Sequence, residues 1–178
     1  MKYRYAGWLL LLWAWSSFAM ALTPVALKEG MNQLDLNRDG VMDYVMVAHF
    51  DNNTSHPNLG LTFYVSRAEG GLSIMPVTNS ELFTWFDYRL SAASDFLVLD
   101  NKLFLEPQGY YLITARKRDE NLFDPGKVEL TAYRFTESRD DPGVPLYEWT
   151  KVKSAITKSD YQSADMAYDE ADLRLLSE

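Results

Sequence analysis

The sequence predicts a mainly β protein, an antiparallel β-sandwich or curved sheet of about eight short strands with a C-terminal amphipathic helix. Short apolar or alternating runs recur along the chain and are separated by Asp, Asn, Pro and Gly, as is typical of antiparallel sheets. After the last of these runs, the apolar residues recur at helical spacing. The length of 178 residues, 47% of them hydrophobic, suits one domain better than two.

The first 21 residues have the pattern of a secretory signal peptide. Lys2 and Arg4 precede an apolar run, and Ala19-Met20-Ala21 offers a small-x-small cleavage site. The apolar run is shorter than the ~20 residues that a membrane-spanning helix needs, and no second apolar segment follows it. We therefore expect cleavage after Ala21, a single β-rich exported domain over residues 22–178, and no stable membrane insertion after cleavage.

Charge and cysteine content exclude several classes of function. The net charge of −8 provides no basic surface for neutralising phosphates, so nucleic acid is not expected as a partner. The absence of cysteine excludes disulfides, a thiol nucleophile and thiolate metal sites. Export without cysteines fits the periplasm of a Gram-negative cell better than a eukaryotic secretory route.

The strands are predicted from runs of apolar or alternating residues. In chain order they cover residues 44–50, 61–65, 72–77, 96–99, 102–105, 110–116, 128–135 and 147–152. Asp100-Asn101 is predicted as a tight turn between the fourth and fifth of them, because both residue types tolerate the left-handed conformation of hairpin turns. In the run 128–135, alternation gives one apolar face and one more polar face.

A C-terminal amphipathic helix is predicted from apolar residues at helical spacing: Ala164, Ala167, Tyr168, Ala171 and Leu175. Acidic residues lie between them. We expect the apolar stripe to cap the sheet, with docking onto a partner as the alternative.

An acidic loop precedes the first predicted strand. Counted from Asp35, it has oxygen side chains at positions 1, 3, 5 and 9, a glycine at 6 and a backbone carbonyl at 7. Hard cations prefer such oxygen ligands, and the loop predicts a structural Ca²⁺ site. The candidate ligands are Asp35, Asn37, Asp39, Val41 through its carbonyl, and Asp43. Met46 at position 12 disfavours an EF-hand, and a turn with solvated acids is the alternative.

Both histidines fall in one short segment at the end of the first predicted strand. A loop held by a rigid sheet commonly carries binding groups, so this segment predicts a polar ligand pocket. Its candidate ligand-binding residues are His49, Asp51, Asn53 and His56. A transition-metal site and simple hydrogen-bonding roles are the alternatives.

Sequence motifs of catalysis are missing. The chain contains no Gly-x-Ser-x-Gly, no Ser-x-x-Lys accompanied by Ser-Asp-Asn and Lys-Thr-Gly, and no His-Glu-x-x-His. We therefore do not expect an enzyme.

The run of residues 30–49 (GMNQLDLNRDGVMDYVMVAH), followed by Asn52-Asn53 and by residues 62–65, resembles the exported CarG-type carbapenem intrinsic-resistance proteins. Residues 133–135 and 142–147 are similar to the closing part of that family. The resemblance implies a periplasmic protein that protects against carbapenems without hydrolysing them, with a β-lactam ligand or a periplasmic protein as partner. The alternative, favoured by the abundant aromatic residues, is an exported calcium-stabilised β-sandwich that acts as an interaction or carbohydrate-binding module.

Overall fold

The computed structural model describes residues 22–51, 53, 57–90, 96–140 and 142–176. Within these residues the chain forms two antiparallel sheets of five strands each. The strands are β1 (Gly30–Leu34), β2 (Asp43–Phe50), β3 (Asn58–Ser66), β4 (Leu72–Ile74), β5 (Trp85–Phe86), β6 (Tyr88–Arg89), β7 (Leu97–Glu106), β8 (Gly109–Lys117), β9 (Val128–Glu137) and β10 (Tyr147–Ile156). The predicted β-sandwich is confirmed.

The first sheet has the order β1-β2-β3-β4, with β5 also paired to β3. β1 and β2 form a hairpin in which Leu34 pairs with Asp43, so the acidic loop is the connection between these two strands. Gly60 of β3 lies directly under the segment that leads into β5. A Cβ at this position would stand 2.7 Å from Thr84 Cγ2 and 2.9 Å from Phe86 Cε1, so glycine permits the close approach.

The second sheet has the order β10-β9-β8-β7-β6. Its central strand β8 pairs with β7 from Leu99↔Arg116 to Glu106↔Gly109, and with β9 on its other side. β10 pairs with β9, and its register shifts between Lys151 and Lys153, the mark of a β-bulge.

The main core lies between the two sheets. Val45 and Phe63 contribute from the first sheet, and Leu112 and Trp149 from the second; all four are fully buried. The Phe63 and Trp149 rings meet edge to face with centroids 5.0 Å apart. Such a pair adds to the hydrophobic burial that holds the sheets together.

The chain after β10 covers the outer face of the second sheet. The predicted helix is present as two short 3-10 helices, Ala164–Glu170 and Leu173–Leu175. Ala164, Ala167 and Leu175 are buried against Ile113 and other residues of this face. Tyr168 and Ala171 join the same cluster. The expectation that this apolar stripe caps the sheet is confirmed, and the small alanines let the backbone pack closely.

The predicted Asp100-Asn101 turn is wrong. Both residues lie inside the continuous strand β7, where they pair with Ala115 and Thr114. Their side chains face tertiary surroundings: the Asn101 amide donates to the Phe86 carbonyl at 2.9 Å, and burial together with the nearby Asp100 carboxylate raises the pKa of the Tyr168 phenol. These contacts override the local turn preference of Asp and Asn.

Other boundaries also differ from the prediction. The strand expected over 72–77 ends at Ile74, and β1, β5 and β6 were not predicted. The predicted signal peptide, residues 1–21, lies outside the described residues. In the part of the chain that is described, no helix has the length and apolar character to cross a membrane.

Candidate functional site

The acidic loop satisfies its own carboxylates with backbone amides. Asp35 accepts from the N–H groups of Asp39 and Gly40, each at 3.0 Å. Asp39 accepts from the Val41 N–H at 2.7 Å and from the Asn37 amide at 2.8 Å. These are side-chain turns of the kind that Asp and Asn commonly form, and they shape the connection between β1 and β2.

Asp43 differs from the other acids because it is fully buried. Its two carboxylate oxygens accept from the N–H groups of Leu36 and Ser66, both at 2.9 Å. Burial raises the pKa of Asp43, while these amides act in the opposite direction. Asp43 therefore ties the start of the acidic loop to the end of β3.

No set of three or more His, Asp or Glu side chains in the described residues converges in a way that would hold a metal ion. The donors of the acidic loop are nevertheless the hard oxygens that Ca²⁺ prefers, and Asp39 is exposed at the tip of the loop. The Ca²⁺ site stays a prediction.

The histidine segment is exposed where it is described. His49 Nε2 lies 2.8 Å from Glu29 Oε1, an ion pair when the imidazole is protonated. Asp51 accepts from the Asn53 N–H at 2.9 Å, in a turn where Asn53 has a φ of 58°. His56 lies outside the described residues. His49 thus contacts Glu29, whereas Asp51 and Asn53 bond to each other. The ligand pocket at this segment stays a prediction.

A cleft between the two sheets, which the sequence did not predict, has a volume of about 500 Å³. One wall is formed by β5 of the first sheet and by residues 77–84, which precede it. The other wall is the inner face of the second sheet. We define the cleft by its polar and aromatic lining: Trp85, Asn101, Thr114, Arg116, Arg118, Glu129, Thr131, Tyr133 and Lys151. This volume is in the range of small-molecule sites.

Strand pairing explains why this end of the sandwich is polar. On the inner face of the second sheet, buried Leu112 pairs with Tyr133. In the next inward-facing row Thr114 pairs with Thr131, and in the row after that Arg116 pairs with Glu129. The face that is apolar in the middle of the sandwich therefore becomes polar and charged towards its edge.

The charge of the cleft is opposite to that of the whole chain. Three cationic side chains, Arg116, Arg118 and Lys151, line it together with the single carboxylate of Glu129. Arg118 Nη1 lies 3.6 Å from Glu129 Oε2. Among the described residues Arg116 and Lys151 form no ion pair. In a protein of net charge −8, this is a local excess of positive charge.

The back of the cleft contains buried groups with unused hydrogen-bonding capacity. Trp85 is 7% exposed and packs edge to face on Tyr133, with ring centroids 5.2 Å apart. Within the described part of the chain, neither the Trp85 indole N–H nor the Asn101 Oδ1 has a hydrogen-bond partner. Burial raises the pKa of the Tyr133 phenol, so this group stays neutral at physiological pH. Buried polar atoms are usually paired, so two unpartnered polar atoms at the back of one cleft, one from each sheet, are unusual.

The amino-acid sequence contains one signal that could have pointed to this cleft. Period-two alternation places Thr114 and Arg116 on the same face of a strand as Leu112. Two further features depend on how distant parts of the chain come together. Thr131 and Glu129 lie opposite Thr114 and Arg116 because of the register between β8 and β9, and Trp85 of the other sheet covers this end of the face.

Comparison with known proteins identifies the family. The family model described as "Carbapenem resistance protein CarG-like" matches residues 27–170. The solved structure named "Crystal structure of CarG" is 66% identical, with a TM-score of 0.86, and the match covers 88% of this chain and all of that chain. No curated protein sequence matches. The chain belongs to the family of CarG-like carbapenem resistance proteins.

Proposed function

We propose that the protein is exported to the periplasm and protects the cell against carbapenems without hydrolysing them, by binding the drug or shielding its targets. The observation that carries this proposal is the 66% identity to the structure named CarG over 88% of the chain. The family description links these proteins to carbapenem resistance.

Three hydroxyl groups of the cleft have hydrogen-bond partners that support a role without hydrolysis. Covalent attack on a β-lactam by a hydroxyl requires an adjacent base. Thr131 instead shares a hydrogen bond of 2.8 Å with Ser154, and Thr84 shares one of 2.8 Å with Thr62. Thr78 donates to the Trp149 carbonyl. These partners are hydroxyl and carbonyl groups, which do not serve as general bases.

The contacts at the start of the described chain support cleavage after Ala21. Leu22 is buried in the cluster on the outer face of the second sheet. The Thr23 N–H donates to Glu106 at 2.8 Å, and the Val25 N–H donates to the Leu103 carbonyl at 2.8 Å. Removal of residues 1–21 would leave all of these contacts in place.

A bound Ca²⁺ is also proposed, with a structural role in the connection between β1 and β2. Asp35, Asn37 and Asp39 would supply side-chain oxygens, and Val41 its carbonyl. Asp43, which already holds two amides, would act mainly by fixing the position of the loop. The ion would reduce the repulsion between neighbouring carboxylates.

The protective function is tested by expressing the full-length protein in a carbapenem-sensitive Gram-negative host. The carbapenem concentration that inhibits growth should rise, and the protein recovered from the periplasm should begin at Leu22. A variant without residues 2–21, which lacks the proposed export signal, is the matched control and should give no protection. An unchanged inhibitory concentration with the full-length protein would overturn the proposal.

A second candidate function, an exported interaction or carbohydrate-binding module, is favoured by a separate aromatic patch. Phe50, Phe86 and Tyr88 are exposed near the end of β2, and the Phe50 and Phe86 rings lie 6.0 Å apart. Exposed aromatic rings stack on sugars and on other apolar surfaces. This candidate would be favoured if peptidoglycan pulls down the unaltered protein but not Tyr88→Ala. It would be removed if peptidoglycan does not retain the unaltered protein.

A further inference from the structure

We propose that the cleft between the two sheets binds a small cyclic carboxylate, the chemical class to which carbapenems belong, with Arg116 and Lys151 as partners of the carboxylate. The inference rests on the proposed function and assigns it a site. Trp85 and Tyr133, whose rings meet edge to face at the back of the cleft, would provide the aromatic surface against which the ring system packs.

The charges of the cleft favour an organic anion. Glu129 is engaged with Arg118, and Arg116 and Lys151 form no ion pair among the described residues. A carboxylate placed between two such cations receives charge-assisted hydrogen bonds, which are stronger than those between neutral groups. Arginine adds a planar pair of donors that matches the two oxygens of a carboxylate.

The buried back of the cleft favours a ligand that has polar atoms besides its carboxylate. The Trp85 N–H is a donor and the Asn101 Oδ1 is an acceptor, and both lack a hydrogen-bond partner within the described residues. A β-lactam ring system offers carbonyl acceptors, and its apolar edges suit the aromatic rings. The cleft thus combines an apolar wall with a few polar groups, which is the usual construction of a small-molecule site.

A larger cavity of about 730 Å³ beside the C-terminal 3-10 helices is less suited to an anion. Its lining includes Asp169, Glu170 and Asp172. Its three cations, Lys102, Lys158 and Arg174, are matched in number by these three carboxylates. Arg174 pairs with Asp172, and Lys102 Nζ lies 4.4 Å from the centre of the Tyr168 ring. The excess positive charge therefore distinguishes the cleft from this cavity.

The test is a calorimetric titration of meropenem into protein expressed from the full-length sequence and purified after export. Lys151→Met and Arg116→Met should each weaken binding roughly tenfold, because each removes one charge-assisted interaction. Lys153→Met is the matched control: Lys153 lies two residues from Lys151 on the same strand, but beside Leu130 and Ala155 in a different cavity. It should leave the affinity within about twofold, as expected for a distant surface change.

A second arm needs no substitution. The methyl ester of the meropenem ring carboxylate lacks the negative charge, and it should bind the unaltered protein roughly tenfold more weakly than meropenem does. Binding of meropenem should also weaken as salt is added, since Arg116 and Lys151 are exposed.

The outcomes distinguish failure of the cleft as the carboxylate site from failure of the proposed function. Binding that is equally strong in Lys151→Met, Arg116→Met and the control, or equally strong for the ester, would overturn the cleft as the carboxylate site while protection of the host stands. No binding at all, with protection retained, would also overturn it and would favour shielding. The proposed function itself would be overturned by a different result, the absence of protection when the unaltered protein is expressed in the host.

Discussion

Replacing Asp43 with alanine is expected to destabilise the fold even when calcium is absent. The carboxylate is fully buried and accepts the N–H groups of Leu36 and Ser66, both at 2.9 Å. A buried N–H left without an acceptor costs about 1–3 kcal/mol, so two would cost about 2–6 kcal/mol. Burial opposes ionisation and raises the pKa of Asp43, which offsets part of this contribution. We therefore expect a loss in the lower half of that range, about 3 kcal/mol.

The assay is urea unfolding followed by tryptophan fluorescence, in buffer that contains a calcium chelator. If the protein is unfolded by heat instead of urea, a loss of about 3 kcal/mol in a domain of this size corresponds to a fall in Tm of about 6–12 °C. Asp39→Ala is the matched control, since Asp39 is exposed and, among the described residues, its side-chain oxygens accept from Asn37 and Val41 of the same loop. Its loss without calcium should stay below about 1 kcal/mol.

Two results would refute this reasoning. If Asp43→Ala matches the unaltered protein to within about 0.5 kcal/mol in chelator, its two hydrogen bonds do not stabilise the fold. If the deficit appears only when calcium is added, Asp43 acts as a metal ligand and not as a link between the acidic loop and β3.

Three further predictions concern the ion, a buried lysine and a buried acid. Millimolar calcium should raise the Tm of the unaltered protein and not that of Asp39→Ala, and equal shifts would contradict the proposed site. Lys117→Met should lower the free energy of unfolding by about 3 kcal/mol, because buried Lys117 donates to three backbone carbonyls. Lys127→Met, which breaks an exposed ion pair with Asp160, should cost less than about 1 kcal/mol, and equal losses would contradict this difference. Burial raises the pKa of Asp87, so the folded state binds this proton more tightly than the unfolded state does. The stability of the unaltered protein relative to Asp87→Asn should therefore be greatest below about pH 4 and should fall as pH rises through the raised pKa; a rise would contradict it.

The fold class was predictable because period-two alternation is a local property of the sequence. β2 was predicted over residues 44–50 and is observed over Asp43–Phe50, with alternate residues facing the core. The apolar stripe after β10 was predictable from helical spacing, which is also a local property of the sequence. The Asp100-Asn101 turn failed because local preference cannot anticipate that β8 pairs with both residues.

The cleft was beyond prediction because it depends on the register between strands. Leu112, Thr114 and Arg116 share a face by alternation alone. The sequence does not say that Thr131 and Glu129 lie opposite them, nor that Trp85 covers this end of the sandwich. The acidic loop, in contrast, is a continuous segment and was recognised directly. Its residue Asp43 was predicted only as a metal ligand, since its distance from the Ser66 amide is a matter of tertiary structure.

Equilibrium dialysis of the purified protein against meropenem tests most directly whether it protects by holding the intact drug. Both the drug retained with the protein and its chemical state would be measured, with Lys151→Met dialysed in parallel. If the protein holds the intact drug in the cleft, up to one intact meropenem per chain is retained, and clearly less with Lys151→Met. Recovery of ring-opened meropenem in excess of the protein would contradict it, because the protein would then be a hydrolase.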